Sequence, residues 1–149
     1  EISATTSTVT GLDSQNQPYE INATRGWQDK DKPNIVYLEQ VGATFRKAEG
    51  RAFNLSSAKG TYDTKIKEMD LAGDVTISEG ERFTARMERA HVVVEKKTLA
   101  SDVPVDVTFA GGQVHANGLQ ITDDGARILF LNGVKARFGA ETAKGDQAP

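Results

Sequence analysis

The sequence predicts an all-β domain: an elongated, twisted and open β-jelly roll whose two antiparallel sheets are built from repeated hairpins. Two observations favour this fold class. Apolar and polar residues alternate at period two in one stretch after another, as in strands with one buried face. Polar turn sequences separate these stretches, and no stretch carries a helical period. About nine or ten antiparallel strands are therefore expected, in a sandwich, jelly roll or barrel.

The segment 53–77 shows the alternation most clearly, and it reads as a strand, a turn and a second strand. In the second half, the apolar residues share one parity: Met69, Leu71, Val75 and Ile77. The polar residues between them share the other parity, so this strand has one apolar and one polar face. Gly60 and the step 63–65 supply residues typical of turns between the two halves.

The same hairpin pattern recurs along the chain. Copies begin at Tyr19, Phe53, Phe83 and Val114, so the steps are 34, 30 and 31 residues. Each copy opens with an alternating strand, turns on a polar patch and returns as a second strand. This regularity favours stacked hairpins in an open roll over a compact Greek key. The alternative is that any all-β protein shows hairpins at about this spacing.

The remaining strands follow from the same alternation, taken in chain order. The predicted strands are 7–12, one from Tyr19 to Thr24, 35–45, the two halves of 53–77, 83–94, 103–109, 114–121 and 127–138. In 35–45 the inward phase contains Ile35, Tyr37, Val41, Ala43 and Phe45. In 83–94 the phase changes from odd to even numbers, which predicts a bulge or bend near 88–90. In 127–138 the inward phase contains Ile128, Phe130, Val134, Ala136 and Phe138.

Composition bounds the class of protein. At 149 residues the chain predicts one domain, residues 1–139, followed by a small polar tail, 140–149, expected to be disordered. A net charge of −3 and a pI near 5.4 argue against nucleic-acid binding, which needs a basic surface. The absence of cysteine excludes disulfides and thiolate metal sites. No run approaches the length of a membrane span. Because the chain begins at Glu1 rather than Met, we expect that an N-terminal signal or anchor has been removed.

The sequence offers no catalytic or metal-binding constellation, and neither an enzyme nor a cofactor is expected. His91 and His115 fall on the polar phase of their strands, without a Cys, His or paired carboxylate at metal-ligand spacing. Most carboxylates fall in turns or on outward strand positions, where solvated charge is normal. No nucleophile elbow, P-loop or dinucleotide loop occurs. The lysines Lys65, Lys67, Lys96 and Lys97 are interpreted as solvated turn residues, with contacts to phosphate groups as the alternative.

The inward phases are numerous, aliphatic and spread along the whole chain, so splayed sheets would leave an apolar trough between them. The alternative is that these residues fill a closed core. The predicted lining residues are Tyr19, Ile21, Tyr37, Phe45, Phe53, Leu55, Met69, Leu71, Val75, Ile77, Phe83, Met87, Val105, Val107, Phe109, Ile121, Ile128 and Phe130. Leu129 and Leu131 point to the opposite face, which implies cover on both faces of that strand. A partner edge is therefore predicted at Val9, Leu129, Leu131 and Val134, with an intramolecular loop as the alternative cover.

Four motifs resemble the LptC family of lipopolysaccharide export: GLDSQNQPYEINA at 11–23, A-x-G-x-Y-D at 58–63, L-A-G-D-V at 71–75 and S-D-x-P-V at 101–105. The resemblance extends from about Thr8 to Phe138. It implies a periplasmic β-jelly roll that holds the acyl chains of lipid A inside. It also implies anchoring to the inner membrane by a helix absent from this chain. The implied partners are lipopolysaccharide, the inner-membrane ABC transporter components of the Lpt system, LptA and, as a further possibility, a second copy in a homodimer. The alternatives are an LptA-like soluble bridge, a carbohydrate-binding jelly roll and a purely structural repeat protein.

Overall fold

The computed structural model describes residues 3–4, 7–123 and 125–139, and residues 3–4 are described by their backbone alone. The predicted disordered tail, 140–149, lies outside the described residues. Within them the chain forms thirteen strands: β1 (Ser3–Ala4), β2 (Ser7–Leu12), β3 (Pro18–Gln28), β4 (Ile35–Arg46), β5 (Ala52–Asp63), β6 (Glu68–Glu79), β7 (Phe83–Val93), β8 (Thr98–Ser101), β9 (Val105–Phe109), β10 (Gly112–Ala116), β11 (Leu119–Thr122), β12 (Arg127–Phe130) and β13 (Val134–Phe138). Two short 3-10 helices lie at Ala48–Gly50 and Val94–Lys96.

The described strands pair antiparallel in one sheet that branches at β3, which pairs with both β1 and β2, and at β7. Five long strands, β3 to β7, form its centre in chain order. The first half of β7, Phe83 to Met87, pairs with β9, whereas its last residues, His91 to Val93, pair with β8. One branch continues through β9, β10 and β13, and the other through β8, β11 and β12. β7 thus belongs to both branches, and the sheet bends between its two partners, near residues 88–90, where the buried phase of the strand changes.

The bend runs across all five central strands, and we call it the fold line. In four strands the buried phase changes parity there, because two consecutive residues are not buried: 24–25 in β3, 39–40 in β4, 58–59 in β5 and 88–89 in β7. In β6 the pairing register shifts instead around Gly73 and Asp74, both of which have positive φ, +87° and +49°. A bulge of this kind bends a strand and increases its twist. The phase change predicted near 88–90 is confirmed.

Folding along this line gives the two layers of an open β-jelly roll. Layer 1 contains β2, β9, β10, β13 and residues 18–23, 41–46, 52–57, 75–79 and 83–87 of the central strands. Layer 2 contains β1, β8, β11, β12 and residues 26–28, 35–38, 60–63, 68–71 and 90–93. The chain crosses the fold line again at 102–104, 117–118 and 131–133, between pairs of shorter strands. The predicted all-β open jelly roll is confirmed.

The hairpins begin close to where the sequence places them. Successive copies open at Pro18, Ala52, Phe83 and Gly112, the starts of β3, β5, β7 and β10. In the last two copies a long strand is interrupted at the fold line, so β8 with β9, β10 with β11 and β12 with β13 each take the place of one strand. The repeat is therefore a hairpin whose two arms both cross the fold line.

The core lies between the two layers and is mostly aliphatic, with an aromatic row at one end. Ring centroids of Phe53 and Phe83, of Phe83 and Phe109, and of Phe109 and Phe130 lie 6.3, 6.3 and 6.4 Å apart. Tyr19 and Phe45 form a further pair at 6.0 Å. These tilted and edge-on contacts stabilise the core by about 0.5–1.5 kcal/mol per pair beyond area burial.

Several strand predictions need correction. Gly60, predicted to lie in the turn between the two halves of 53–77, is a residue of β5, and the turn falls at 64–67. The predicted strand 114–121 is interrupted at 117–118 and forms β10 and β11. Ile35, predicted to face inward, is partly buried and outside the core.

Tyr37 is partly buried and outside the core, since the phase of β4 changes at 39–40; its ring packs 6.1 Å from Trp27, and its hydroxyl donates a hydrogen bond to Asp29. The predicted strand 127–138 is two strands, because the chain crosses the fold line at 131–133. As a result Val134, Ala136 and Phe138, all expected to face inward, are exposed on β13, Val134 by 51% and Phe138 by 61%.

Candidate functional site

The interior between the layers brings together most of the predicted lining residues. The buried ones are Tyr19, Ile21, Phe45, Phe53, Leu55, Met69, Leu71, Val75, Ile77, Phe83, Met87, Val105, Val107 and Ile121. Phe109, Ile128 and Phe130 are partly buried and pack against this core. Tyr37 alone among the predicted residues lies away from it.

The interior is filled by its own side chains rather than open to solvent. A void of about 10 Å³ lies between the layers, and no more than one water molecule fits a space of that size. Its walls come from both layers: Phe45, Phe53, Leu55 and Ile77 from layer 1, and Val92, Lys97, Thr98, Leu99 and Ile121 from layer 2 or the turn before it. The trough predicted from sequence is therefore closed in this structure, because side chains of the two layers interdigitate.

The side of the molecule opposite the fold line is where the hairpin turns of the two layers meet, and we call it the mouth. The Ser14 N–H donates a hydrogen bond to the Glu95 carbonyl at 2.8 Å, which joins the β2–β3 turn to the β7–β8 turn. The Lys97 Nζ atom lies 2.7 Å from Asp13 Oδ2, and it also donates to the Arg46 carbonyl at 3.3 Å. Non-covalent contacts between turns thus hold the two layers together at the mouth.

The Asp13–Lys97 ion pair is almost completely shielded from water. The two side chains are 1% and 2% exposed. The other carboxylate oxygen, Asp13 Oδ1, accepts the backbone N–H groups of Gln15 and Gln17 at 2.8 and 3.0 Å. Burial raises the pKa of Asp13, but the hydrogen bond from Lys97 and those two N–H groups outweigh it, so the pKa stays below its ordinary value. The carboxylate is ionised at neutral pH.

The pair was not predicted from the sequence, in which Lys97 was interpreted as a solvated turn residue. The turn itself was predictable, but the partner lies in a turn of the other layer, far away in the sequence. Lys97 adopts a left-handed conformation with φ of +52° at the end of the 3-10 helix Val94–Lys96. That conformation is uncommon for a lysine. Because this conformation is visible only in the folded backbone, the sequence carried no local signal that Lys97 would be buried.

A second buried carboxylate, Glu79, lies at the same end of layer 1. Its side chain is 2% exposed and contacts Arg82 Nη1 at 2.6 Å, Lys47 Nζ at 3.1 Å and Arg51 Nη1 at 3.6 Å. Burial raises the pKa of Glu79, but the hydrogen bonds from Arg82 and Lys47 outweigh it and the pKa is lowered. The Lys47 ammonium also lies 4.6 Å from the Phe53 ring centroid. The cluster secures the turns of β4–β5 and β6–β7 against the core.

The outer face of layer 2 carries a shallow groove of about 740 Å³. His91 lies in its wall, with Nδ1 2.8 Å from Asp70 and Nε2 2.9 Å from Glu68. The hydrogen bond to Asp70 is the main cause that raises the pKa of His91, with Glu68 adding to it against the effect of burial. His115 similarly lies 2.8 Å from Asp106. Both histidines thus have carboxylate partners across strand pairs, and the described residues contain no cluster suited to a metal ion.

The predicted partner-edge residues are dispersed. Val9 on β2 is partly buried against the core, and Leu129 on β12 is 39% exposed. Leu131 is partly buried after β12 and lines the outer groove, whereas Val134 is exposed on β13. Within the described residues β13 pairs with β10 alone, so its other edge carries unpaired backbone groups. β2 and β13 are the two edge strands of layer 1.

These features define an open β-jelly roll with a continuous apolar interior between its layers. The chain matches the family model described as LptC: Lipopolysaccharide-assembly, LptC-related, over residues 1–139. The chain belongs to this family, and the resemblance read from its motifs is confirmed. No curated protein matches the chain. Membership implies a role in lipopolysaccharide transport, in a family of transport and bridge proteins rather than enzymes, and suggests a periplasmic protein. Among the described residues no helix is long and apolar enough to span a membrane.

Proposed function

We propose that this protein is a periplasmic transport module that accepts the acyl chains of lipid A between its two layers. It then passes them along a row of like-folded domains from the inner to the outer membrane. The observation that carries the proposal is the apolar interior, which extends across both layers of a chain that belongs to the LptC family. The proposed contacts are the inward residues of the central strands and of β9 and β11.

Carrying an acyl chain through water favours a protein with an apolar interior. Exposing one methylene to water costs about 0.8 kcal/mol, so an acyl chain of about a dozen methylenes costs on the order of 10 kcal/mol to carry bare. Aliphatic side chains such as Leu55, Ile77 and Val107 offset most of this cost without specific chemistry. Because the interior is filled in this structure, entry of an acyl chain requires the layers to separate and the side chains to repack.

The charged part of the lipid would remain in water at the rim of the roll. No nucleotide-binding motif occurs in the sequence, so directionality must come from an associated motor. The proposed motor is the inner-membrane ABC transporter of the Lpt system, with which one end of the jelly roll would associate. LptA is the proposed neighbour at the other end.

The edge strands β2 and β13 are the proposed contact sites for like-folded neighbours. An edge strand offers free N–H and C=O groups, so a second jelly roll can extend the sheet by strand addition. Val134 adds an exposed apolar side chain on β13. We expect Val134→Asp to weaken association with such a neighbour, or with a second copy, at least tenfold in Kd. The control Thr108→Asp introduces the same charge at an exposed position of β9, which is paired on both sides. Equal affinity of the two variants, measured by analytical ultracentrifugation or calorimetry, would remove β13 as an interface.

Photo-crosslinking tests lipid binding directly. A photoreactive amino acid at Ile77 or Val107 faces the interior, whereas one at Asp74 or Asp106 faces solvent. After incubation with purified lipopolysaccharide, we expect the interior positions to capture lipid and the outward positions to remain unlabelled. Equal labelling on both faces contradicts the proposed interior site, and absence of labelling at every position contradicts lipid binding altogether.

A further inference from the structure

The mouth is the side on which the two layers can separate without breaking the chain or the sheet. At the fold line five central strands pass from one layer to the other, and three further connections cross it at 102–104, 117–118 and 131–133. At the mouth, by contrast, the described layers meet through turns and side chains. Parting the layers there leaves every strand pair of the central sheet intact.

The described polar contacts across the mouth centre on the β7–β8 turn. The Asp13–Lys97 ion pair and the Ser14–Glu95 backbone hydrogen bond join the β2–β3 turn to the β7–β8 turn. Lys97 extends the contact to the end of β4 through the Arg46 carbonyl, and its side chain also forms part of the wall of the interior void. The same lysine therefore touches both the closing contact and the apolar interior.

Two additional contacts support this closure. Tyr62, at the layer 2 end of β5, and Tyr19 of layer 1 are both buried in the core between the layers. On the other side, the β11–β12 turn lies against Phe53 so closely that a Cβ at Gly125 would overlap the ring. Neither contact involves opposite charges, so the Asp13–Lys97 pair is the ion pair among these contacts at the mouth.

We propose that the Asp13–Lys97 pair is a latch that closes the mouth, and that acyl chains enter the interior when the β2–β3 and β7–β8 turns separate. This inference rests on the proposed function. The latch favours the closed state while the domain is empty, since the ion pair is shielded from water only when the turns are together. Opening transfers both charges to solvent and exposes Lys97 at the rim of an apolar slot.

A reversible covalent lock tests the latch. The hydrogen bond between the Ser14 N–H and the Glu95 carbonyl limits the separation of their Cα atoms to about 6.7 Å by standard bond lengths, within the range that a disulfide spans. The chain has no cysteine, so Ser14→Cys with Glu95→Cys creates a single possible disulfide and leaves Asp13 and Lys97 in place. The photoreactive residue at Ile77 reports entry of purified lipopolysaccharide, and each single cysteine variant serves as an oxidation control.

We expect the oxidised double variant to lose at least tenfold in labelling, and reduction with dithiothreitol to restore it. Equal labelling of the oxidised and reduced forms overturns the latch, while the labelling itself preserves the proposed function. If the wild type is not labelled either, the proposed function fails and lipid entry by this route fails with it. These two failures are therefore distinguishable.

A second arm tests opening without any lipid. Asp13→Asn removes the charge with little change of shape, and we expect at least a threefold increase in the fluorescence of the apolar dye ANS at neutral pH. The control Asp102→Asn alters an exposed pair with Arg89, at 3.5 Å, and leaves dye binding unchanged. Far-UV circular dichroism checks that both variants remain folded. If Asp13→Asn is unfolded, the double variant Asp13→Asn with Lys97→Met, which removes both charges, is used in its place. Dye binding equal to the wild type in a folded variant overturns the latch.

Discussion

Replacing Lys97 with methionine tests how much the buried ion pair at the mouth stabilises the protein. Methionine keeps most of the length and the apolar stem of lysine but removes the charge. The Asp13 carboxylate then stays buried, 1% exposed, with the two backbone N–H groups of Gln15 and Gln17 as its remaining partners. The variant thus separates the contribution of the cation from that of the turn.

The expected cost follows from burial. Removing one partner of a buried ion pair costs about 3–5 kcal/mol, because the other charge is left uncompensated. The two N–H donors to Asp13 place this site at the lower end, about 3 kcal/mol. In a chain of this length each kcal/mol lowers Tm by about 2–4 °C, so the expected fall is about 6–12 °C.

Urea unfolding and thermal melting followed by circular dichroism give the two quantities. The matched control is Arg89→Met, which removes a cation from the exposed Arg89–Asp102 pair, 63% and 82% exposed, and is expected to cost less than about 1 kcal/mol. A second control is the double variant Asp13→Asn with Lys97→Met. Asp13→Asn should cost much less in the Lys97→Met background than in the wild type, since the pair is then already broken.

The reasoning is refuted if Lys97→Met lies within about 1 kcal/mol of the wild type, because a pair shielded from water cannot be broken so cheaply. It is also refuted if the two single substitutions are additive, since contacting charges must show a coupling energy.

Two further predictions concern acid stability and the packing of turns. The pKa of Glu79 is lowered in the folded state, so the stability that this group contributes is present above its ordinary pKa of 4.5 and is lost as pH falls through the lower folded-state pKa. Glu79→Gln should therefore flatten the dependence of the free energy of unfolding on pH below 4.5. An unchanged slope in urea titrations at several pH values contradicts this prediction. Gly125→Ala should lower the free energy of unfolding by about 2–4 kcal/mol, since the φ of Gly125 is +87° and an added Cβ would overlap Phe53. Gly111→Ala, where φ is +83° but the space around the glycine is open, should lower it by about 1 kcal/mol. Equal costs in urea unfolding would show that the β11–β12 turn does not pack on Phe53.

Local sequence was sufficient for the strands and for the inward residues near the ends of hairpins. Alternation at period two is a property of neighbouring residues, so Met69, Leu71, Val75 and Ile77 could be assigned to the buried face of β6 from the sequence. The hairpin starts and the phase change in β7 followed from the same local signal. The family assignment rested on turn residues and strand phases, and it is confirmed.

Other features depended on which strands lie side by side. The fold line reverses the phase of β4 at 39–40, and Tyr37 was assigned to the wrong face because the polar residues there give no sign of a bulge. His91 and Asp70 face each other because β6 pairs with β7 in one register, which alternation within a single strand does not specify. The partners of both histidines therefore became visible only in the folded sheet.

By itself the sequence determined that this chain forms antiparallel hairpins with one apolar face, because strand periodicity and turn chemistry are encoded within a few residues. Only the tertiary structure decided that the sheet folds along one line, that its two apolar faces interdigitate, and that Asp13 meets Lys97 across the mouth. Those outcomes depend on side chains from distant turns meeting in a space that no single segment defines.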